Sequence, residues 1–276
     1  MTRKVLVVGN GAWATRLVRI LSSKTYFSVS QISAREFVAD TSKKTTKFSV
    51  DLGISATTPE LQEKVAPKLM LNVEHLWLEK PVATTNDSAL QLIRKLGEFE
   101  HAYSLFNFSW TFSATWKKFL ELNRKLEDVE NIEIVRKASK HSDKFISVIE
   151  DYGSHDLALL NAWVLKNEGR NFDFMVESVS ENEFRLTSEN TVIHWKIEFG
   201  FSDRLMIWKI FWKNGDKTLI DFYNRKLRHQ NLEIESETFD TIDGFIRALF
   251  AREKDLMHIN HRNALWTREM SSRLLE

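Results

Sequence analysis

The stretch Val5-Leu6-Val7-Val8-Gly9-Asn10-Gly11-Ala12-Trp13-Ala14 decides how the chain is read. Four apolar, mostly β-branched residues read as a strand covered on both faces in a parallel sheet, and they run straight into Gly9-Asn10-Gly11. From Ala12 onward, Ala14, Leu17, Val18 and Leu21 recur at helical spacing, and Ser22-Ser23-Lys24 supplies a polar exit. Gly9-x-Gly11-x-x-Ala14 between them matches the dinucleotide fingerprint: the first glycine permits the tight turn, the second lets backbone approach a pyrophosphate, and the small third residue lets helix pack on strand. Gly9, Asn10, Gly11, Ala12, Trp13 and Ala14 are therefore candidate nucleotide contacts, with the free N–H groups of the helix start toward the phosphates.

Working outward, a second strand is expected at Phe27 to Ser33, a polar loop near Lys43 to Lys47, and a third strand at Leu52 to Ala56. Thr57-Thr58-Pro59 follows, with Pro59 in the first turn of a helix whose apolar face is Leu61, Val65, Leu69 and Met70. His75 to Leu78 reads as another strand and Ala89 to Leu96 as another helix, so the pattern is a doubly wound parallel sheet of Rossmann type. After about residue 115 the periodicity changes. Ile132 to Val135 reads as a strand and Asp156 to Val164 as a helix; β-rich runs follow at Phe184–Thr187, Val192–Phe201, Leu205–Trp212 and Thr218–Tyr223. Asn214-Gly215 marks a hairpin between the last two. Residues 241–275 read as helical with a break near Asn260. The expected division is a nucleotide-binding domain over 1–115 and an α+β domain over 116–276 with a mostly antiparallel open sheet.

Of the 276 residues, 43% are hydrophobic and 28% charged, as in ordinary folded proteins and unlike disordered or fibrous chains. The net charge of +1 provides no general attraction for nucleic acid or an anionic membrane. With no cysteine, a disulfide scaffold, a thiolate nucleophile and a Cys-ligated metal are excluded. The apolar run Val5–Val8 is far too short for a signal-peptide core or a membrane span, and the expectation is a cytoplasmic protein. His258 and His261, with His229 elsewhere, lack a carboxylate cluster and read as a solvated helix face, so no metal is expected. Trp195, Trp208 and Trp212 read as sheet packing or a subunit face.

Three further sites carry chemistry. At the end of the second strand, Ile32-Ser33-Ala34-Arg35 lacks the acidic residue that holds ribose hydroxyls. Ser33 and Arg35 suit a 2′-phosphate, which favours NADP; the NAD alternative would use Glu36 or Asp40. Glu79-Lys80-Pro81 puts a lysine at the carboxyl end of a sheet strand, where open α/β sheets bind ligands, with a candidate cis bond before proline. Asp151 and His155 are four apart, one above the other if a helix has begun by Asp151. Histidine, lysine and aspartate side chains are suited to acid–base and charge-stabilising chemistry.

In this order the glycine turn, Ser55-Ala56-Thr57-Thr58-Pro59, Glu79-Lys80-Pro81 and Asp151-x-x-x-His155 resemble the glucose–fructose oxidoreductase / inositol dehydrogenase / MocA (Gfo/Idh/MocA) family over nearly the whole chain. The resemblance implies an NAD(P)-dependent oxidoreductase acting on a sugar, nucleotide sugar or polyol, with Lys80, Asp151 and His155 as the catalytic group. It adds Ala56, Thr57, Thr58, Glu79, Lys80 and Pro81 to the candidate cofactor contacts and implies a homo-oligomer joined through the second sheet. Two positions depart from the family pattern. Ala158 stands where a further Asp is common, and Leu105-Phe106-Asn107-Phe108-Ser109-Trp110 lacks the usual Arg-aromatic pair. A non-catalytic regulator on the same fold, or an imine or tetrapyrrole reductase, are the alternatives.

Overall fold

The computed structural model describes residues 2–39, 50–138, 149–180, 182–188, 191–235 and 241–275. The lysine-rich loop near Lys43–Lys47 and Asp40 lie outside them. The chain divides into two compact units, Met1–Asn107 with Ile246–Arg268, and Phe108–Phe245 with Glu269–Glu276. A single boundary after residue 115 does not describe this, because the C-terminal helices return in part to the first unit.

The first unit alternates β1 (Arg3–Val8), α1 (Ala12–Ser22), β2 (Phe27–Ile32), α2 (Ala34–Ala39), β3 (Val50–Ser55), α3 (Pro59–Met70), β4 (Val73–Leu78), α4 (Asn86–Gly97) and β5 (Tyr103–Phe106). Its strands are parallel in the order β2-β1-β3-β4-β5. Val5 to Val8 and Leu76 to Leu78 are all buried although consecutive side chains point to opposite faces, so both faces of the sheet are covered. The strand order reverses between β1 and β3, the crevice where doubly wound sheets bind ligands.

The second unit contains α5 (Ala114–Glu121), β6 (Val129–Ala138), α6 (Ser154–Glu168) and seven further strands. These are β7 (Met175–Ser180), β8 (Glu183–Ser188), β9 (Thr191–Phe199), β10 (Leu205–Trp212), β11 (Lys217–Asp221), β12 (Lys226–His229) and β13 (Leu232–Glu235). The sheet order is β13-β12-β11-β10-β6-β9-β8-β7, antiparallel except for the parallel pair β6–β9. One face is buried under helices: Trp208 meets Trp116 of α5 at 5.6 Å, and Trp212 meets Trp163 of α6 at 6.0 Å. Trp195, Trp208 and Trp212 are all core residues. The opposite face is less buried and mixed, with Lys209 paired to Glu133 at 3.0 Å beside Ile207, Phe211 and Val135.

The chain ends in α7 (Thr241–Ala251) and α8 (Lys254–Arg273). The expected break near Asn260 is instead at Arg252, which sits at φ 55° between the two helices. Asn260 lies inside α8 and turns its amide to the open edge of β5. Its Oδ1 accepts from Phe106 N–H at 2.8 Å and its Nδ2 donates to Phe106 O at 3.1 Å. A residue that usually ends helices here satisfies the backbone of an edge strand. His261, expected on a solvated face with His258, is buried: its Nε2 is 3.0 Å from both Ser104 O and Ser104 Oγ. His258 is exposed.

Candidate active site

Gly9 has φ 141°, and a methyl group there would sit 2.1 Å from Ala56 O and 3.4 Å from Ala14 Cβ. Only glycine allows the ends of β1 and β3 and the start of α1 to close on one another. Backbone hydrogen bonds lock the arrangement: Gly9 N–H to Ile32 O at 2.8 Å and Ala56 N–H to Val8 O at 2.9 Å. The Gln31 amide donates to Gly9 O at 2.8 Å. Gly11 differs. Its backbone is extended, φ −71° and ψ 173°, and no atom lies within 4 Å of the place a Cβ would take. It caps α1 without a side-chain acceptor, and the first turn holds no acidic residue. The N–H groups of that turn are left for an anionic ligand, and the open space over Gly11 is a cradle that fits a pyrophosphate. Asn10 and Ala12 are exposed beside it, and Trp13 is half-buried with the Arg16 guanidinium 5.7 Å from its ring centre.

Ser33 and Arg35 follow β2 as expected, yet the serine is already engaged. Its Oγ donates to Glu36 Oε2 at 2.6 Å, its N–H reaches the same oxygen at 3.2 Å, and Glu36 N–H donates back to Ser33 Oγ at 3.2 Å. This reciprocal cap holds the exposed Glu36 carboxyl below its ordinary range, the Ser33 hydroxyl being the main cause. Arg35 is exposed. Thr57 and Thr58 lie between β3 and α3, with Thr57 Oγ1 3.3 Å from Ser55 Oγ.

Glu79 was a candidate cofactor contact, but its side chain points inward and is buried. The carboxylate accepts from Trp77 Nε1 and Asn107 Nδ2, both at 2.9 Å. Burial pushes the carboxyl up, while the indoles of Trp13 and Trp77, the Asn107 amide and the Lys80 charge oppose that rise. Gln62 of α3 holds the backbone of the turn: Oε1 accepts from Glu79 N–H at 2.9 Å, and Nε2 donates to Glu79 O at 2.7 Å and Val82 O at 3.0 Å. The Lys80–Pro81 bond is cis. Lys80 is half-buried at this clamped turn, at the carboxyl end of β4 and two strands from the glycine turn.

Asp151 and His155 belong to the second unit, Lys80 to the first. Residues Ile149–Gly153 form a π-helical turn that runs into α6, so Asp151 and His155 occupy consecutive turns of one helical segment and are both half-buried. π-Turns of this kind recur at functional sites. Gly153 packs against Trp195 of β9 so closely that a methyl group would sit 2.4 Å from the ring. Asp156, next to His155, is buried and receives Nε of Arg136 from β6 and Nε1 of Trp208 from β10, the latter at 2.9 Å.

Sequence reasoning named Glu36 only as a ribose ligand of the NAD alternative, not as the partner of Ser33, and missed the roles of Gln62, Asn107, Arg136 and Asp156. Ser33-x-x-Glu36 carries the capping-box spacing and was findable; the others find their partners through the fold and leave no local signal. Among the described residues, no group of three or more His, Cys, Asp or Glu side chains is arranged to hold a metal ion, and no helix is long and apolar enough to cross a membrane.

No protein-family model and no curated protein matches the sequence. Solved structures do match over the full length. UDP-N-acetylglucosamine 3-dehydrogenase GnnA from Acidithiobacillus ferrooxidans superimposes with a TM-score of 0.75 at 17% identity, covering 100% of this chain and 97% of that one. A Gfo/Idh/MocA family oxidoreductase from Vibrio cholerae gives 0.71 at 12% identity, covering 100% of both chains. GenD2 from gentamicin A biosynthesis, solved in complex with NAD, gives 0.69 at 12% identity, covering 99% of this chain and 93% of that one. The parallel sheet with its glycine turn, the mostly antiparallel second sheet and these superpositions together establish that the chain has the fold of the Gfo/Idh/MocA family oxidoreductases.

Proposed function

We propose that the chain is an NAD(P)-dependent oxidoreductase that moves a hydride between nicotinamide and a secondary alcohol or ketone of a sugar, nucleotide sugar or polyol. The glycine turn carries this reading: Gly9 is confined against Ala56, while Gly11 and the uncapped start of α1 leave an open cradle for a pyrophosphate. The UDP-sugar dehydrogenase and the NAD complex among proteins of the same fold support it. A bound nicotinamide would supply the hydride acceptor or donor. His155 takes the hydroxyl proton, the Lys80 ammonium stabilises the alkoxide charge or returns a proton in the reverse direction, and Asp151 orients the imidazole.

The choice of dinucleotide turns on neighbouring side chains. Ser33 is committed to Glu36, so the NADP reading rests on Arg35, while Glu36 is the ribose ligand of the NAD reading. In the same proposal the protein works in the cytoplasm as a homo-oligomer joined through the open face of the second sheet.

Replacing Lys80 by Met and His155 by Asn should each lower kcat at least about a hundredfold with dinucleotide binding largely kept. The measurement is nicotinamide absorbance with sugars, polyols and nucleotide sugars, run with NADP and NAD in parallel. Full turnover in both variants on the true substrate refutes the assignment. A second reading, a dinucleotide-binding regulator, draws on Ala158 at the position where the family commonly has Asp. It predicts dinucleotide binding without absorbance change for any substrate tested.

A further inference from the structure

Asp156 is 0% exposed and Arg136 is 3% exposed, yet neither belongs to the catalytic group proposed above. The two carboxylate oxygens of Asp156 are held from different strands: Oδ2 by Arg136 Nε of β6 and Oδ1 by Trp208 Nε1 of β10. A carboxylate fixed at both oxygens can neither rotate nor slide. Successive residues of an α-helix point about 100° apart, so fixing Asp156 also fixes the direction in which the Cα–Cβ bond of His155 beside it leaves the helix. On the other side of His155, Gly153 rests on the Trp195 ring of β9 with no room for a methyl group. The first turn of α6 is therefore held at 153 and at 156, against three strands, with His155 between the two anchors.

Stability alone does not account for the pair. Desolvating two charges can outweigh their attraction, and apolar residues of similar volume often serve a core as well or better. Here the pair is also incompletely satisfied, since Arg136 Nη2 is buried without a hydrogen-bond partner among the described residues. We propose that Arg136 and Asp156 are positioning residues that set the direction of the His155 imidazole. The proposal rests on the reading of His155 as the base.

The test is NMR of the full-length protein labelled with 13C,15N-histidine, the His155 signal being identified by its loss in H155N. In the double variant R136M/D156L the thermal midpoint should equal or exceed that of the wild type. The His155 resonance should nevertheless shift or split, and its titration midpoint should move by at least about half a pH unit. Trp208→Phe removes one of the two anchors while keeping the charges, and should displace the same resonance in a protein that folds normally. On a substrate found by the absorbance screen, the double variant should lose about tenfold or more in kcat with the dinucleotide KM unchanged. A purely structural pair would leave the folded variants with wild-type His155 line shape and titration, and that result in the double variant, or in W208F should the double variant not fold, overturns the proposal. Turnover in H155N bears on the oxidoreductase reading alone, whereas the His155 titration bears on the pair alone.

Discussion

Gly9 and Gly11 stand two positions apart, and a methyl group acts on each through different physics. At Gly9 it meets a backbone carbonyl at 2.1 Å in a conformation that L residues rarely adopt, so Gly9→Ala should lower stability by about 3 kcal/mol or more. At Gly11 it enters open space in an ordinary extended conformation, so Gly11→Ala should unfold within about 0.5 kcal/mol of the wild type. It should still weaken dinucleotide binding about tenfold by filling the cradle. Urea unfolding beside a dinucleotide titration followed by tryptophan fluorescence checks both, and normal binding by Gly11→Ala would show that no phosphate sits there. This turn was legible in the sequence because its constraints are steric and confined to a few residues. The anchors of Glu79 and Asp156 were not: Asn107 is 28 positions from Glu79, and Arg136 and Trp208 are 20 and 52 from Asp156.

Among the elements, strands with long apolar runs were readable, and Leu205–Trp212 coincides with β10. Some short strands were not. Tyr103–Phe106 is four residues long and β12 and β13 are mostly polar at the sheet margin, where neighbours supply the pairing that propensity does not. The pairing of α8 with β5 was equally invisible, and it carries a pH signature. Burial lowers the His261 imidazole from 6.5 to about 4, opposed by the bond to Ser104. Between those values the unfolded chain binds a proton that the folded chain does not. The contribution is therefore complete above about pH 6.5 and is lost as pH falls through about 4, a span of about 3 kcal/mol at most. His261→Gln offers Ser104 an amide that can donate or accept, without titrating. Its stability should depend less steeply on pH than the wild type's, by one proton across that window. Glu79, with a raised pKa, contributes in the opposite sense as pH rises, but it is common to both proteins and cancels in the difference. Parallel urea curves at each pH would assign the imidazole elsewhere.

At the scale of the whole molecule, the change of periodicity near residue 115 announced two units but not the return of residues 246–268 to the first. A sequence reading divides a chain at one point; contacts need not. Within the first unit the returning segment covers polar backbone and apolar surface together. Phe250 lies under the Arg3 guanidinium at 3.8 Å and against His75 at 4.5 Å, Tyr103 OH donates to Glu253 O at 2.9 Å, and Asn260 pairs with Phe106. A fragment of residues 1–107 loses all of these, leaving the β5 edge without its partner and a buried apolar face exposed. It should collapse without a cooperative transition or well-dispersed amide resonances, and bind no dinucleotide even though it carries the complete glycine turn. Joining residues 246–268 to the same fragment through a flexible Gly/Ser linker restores the contacts at the modest entropic cost of closing a loop. That fusion should unfold cooperatively and regain dinucleotide binding. Cooperative unfolding of 1–107 alone would mean that the returning helices decorate the first unit instead of completing it.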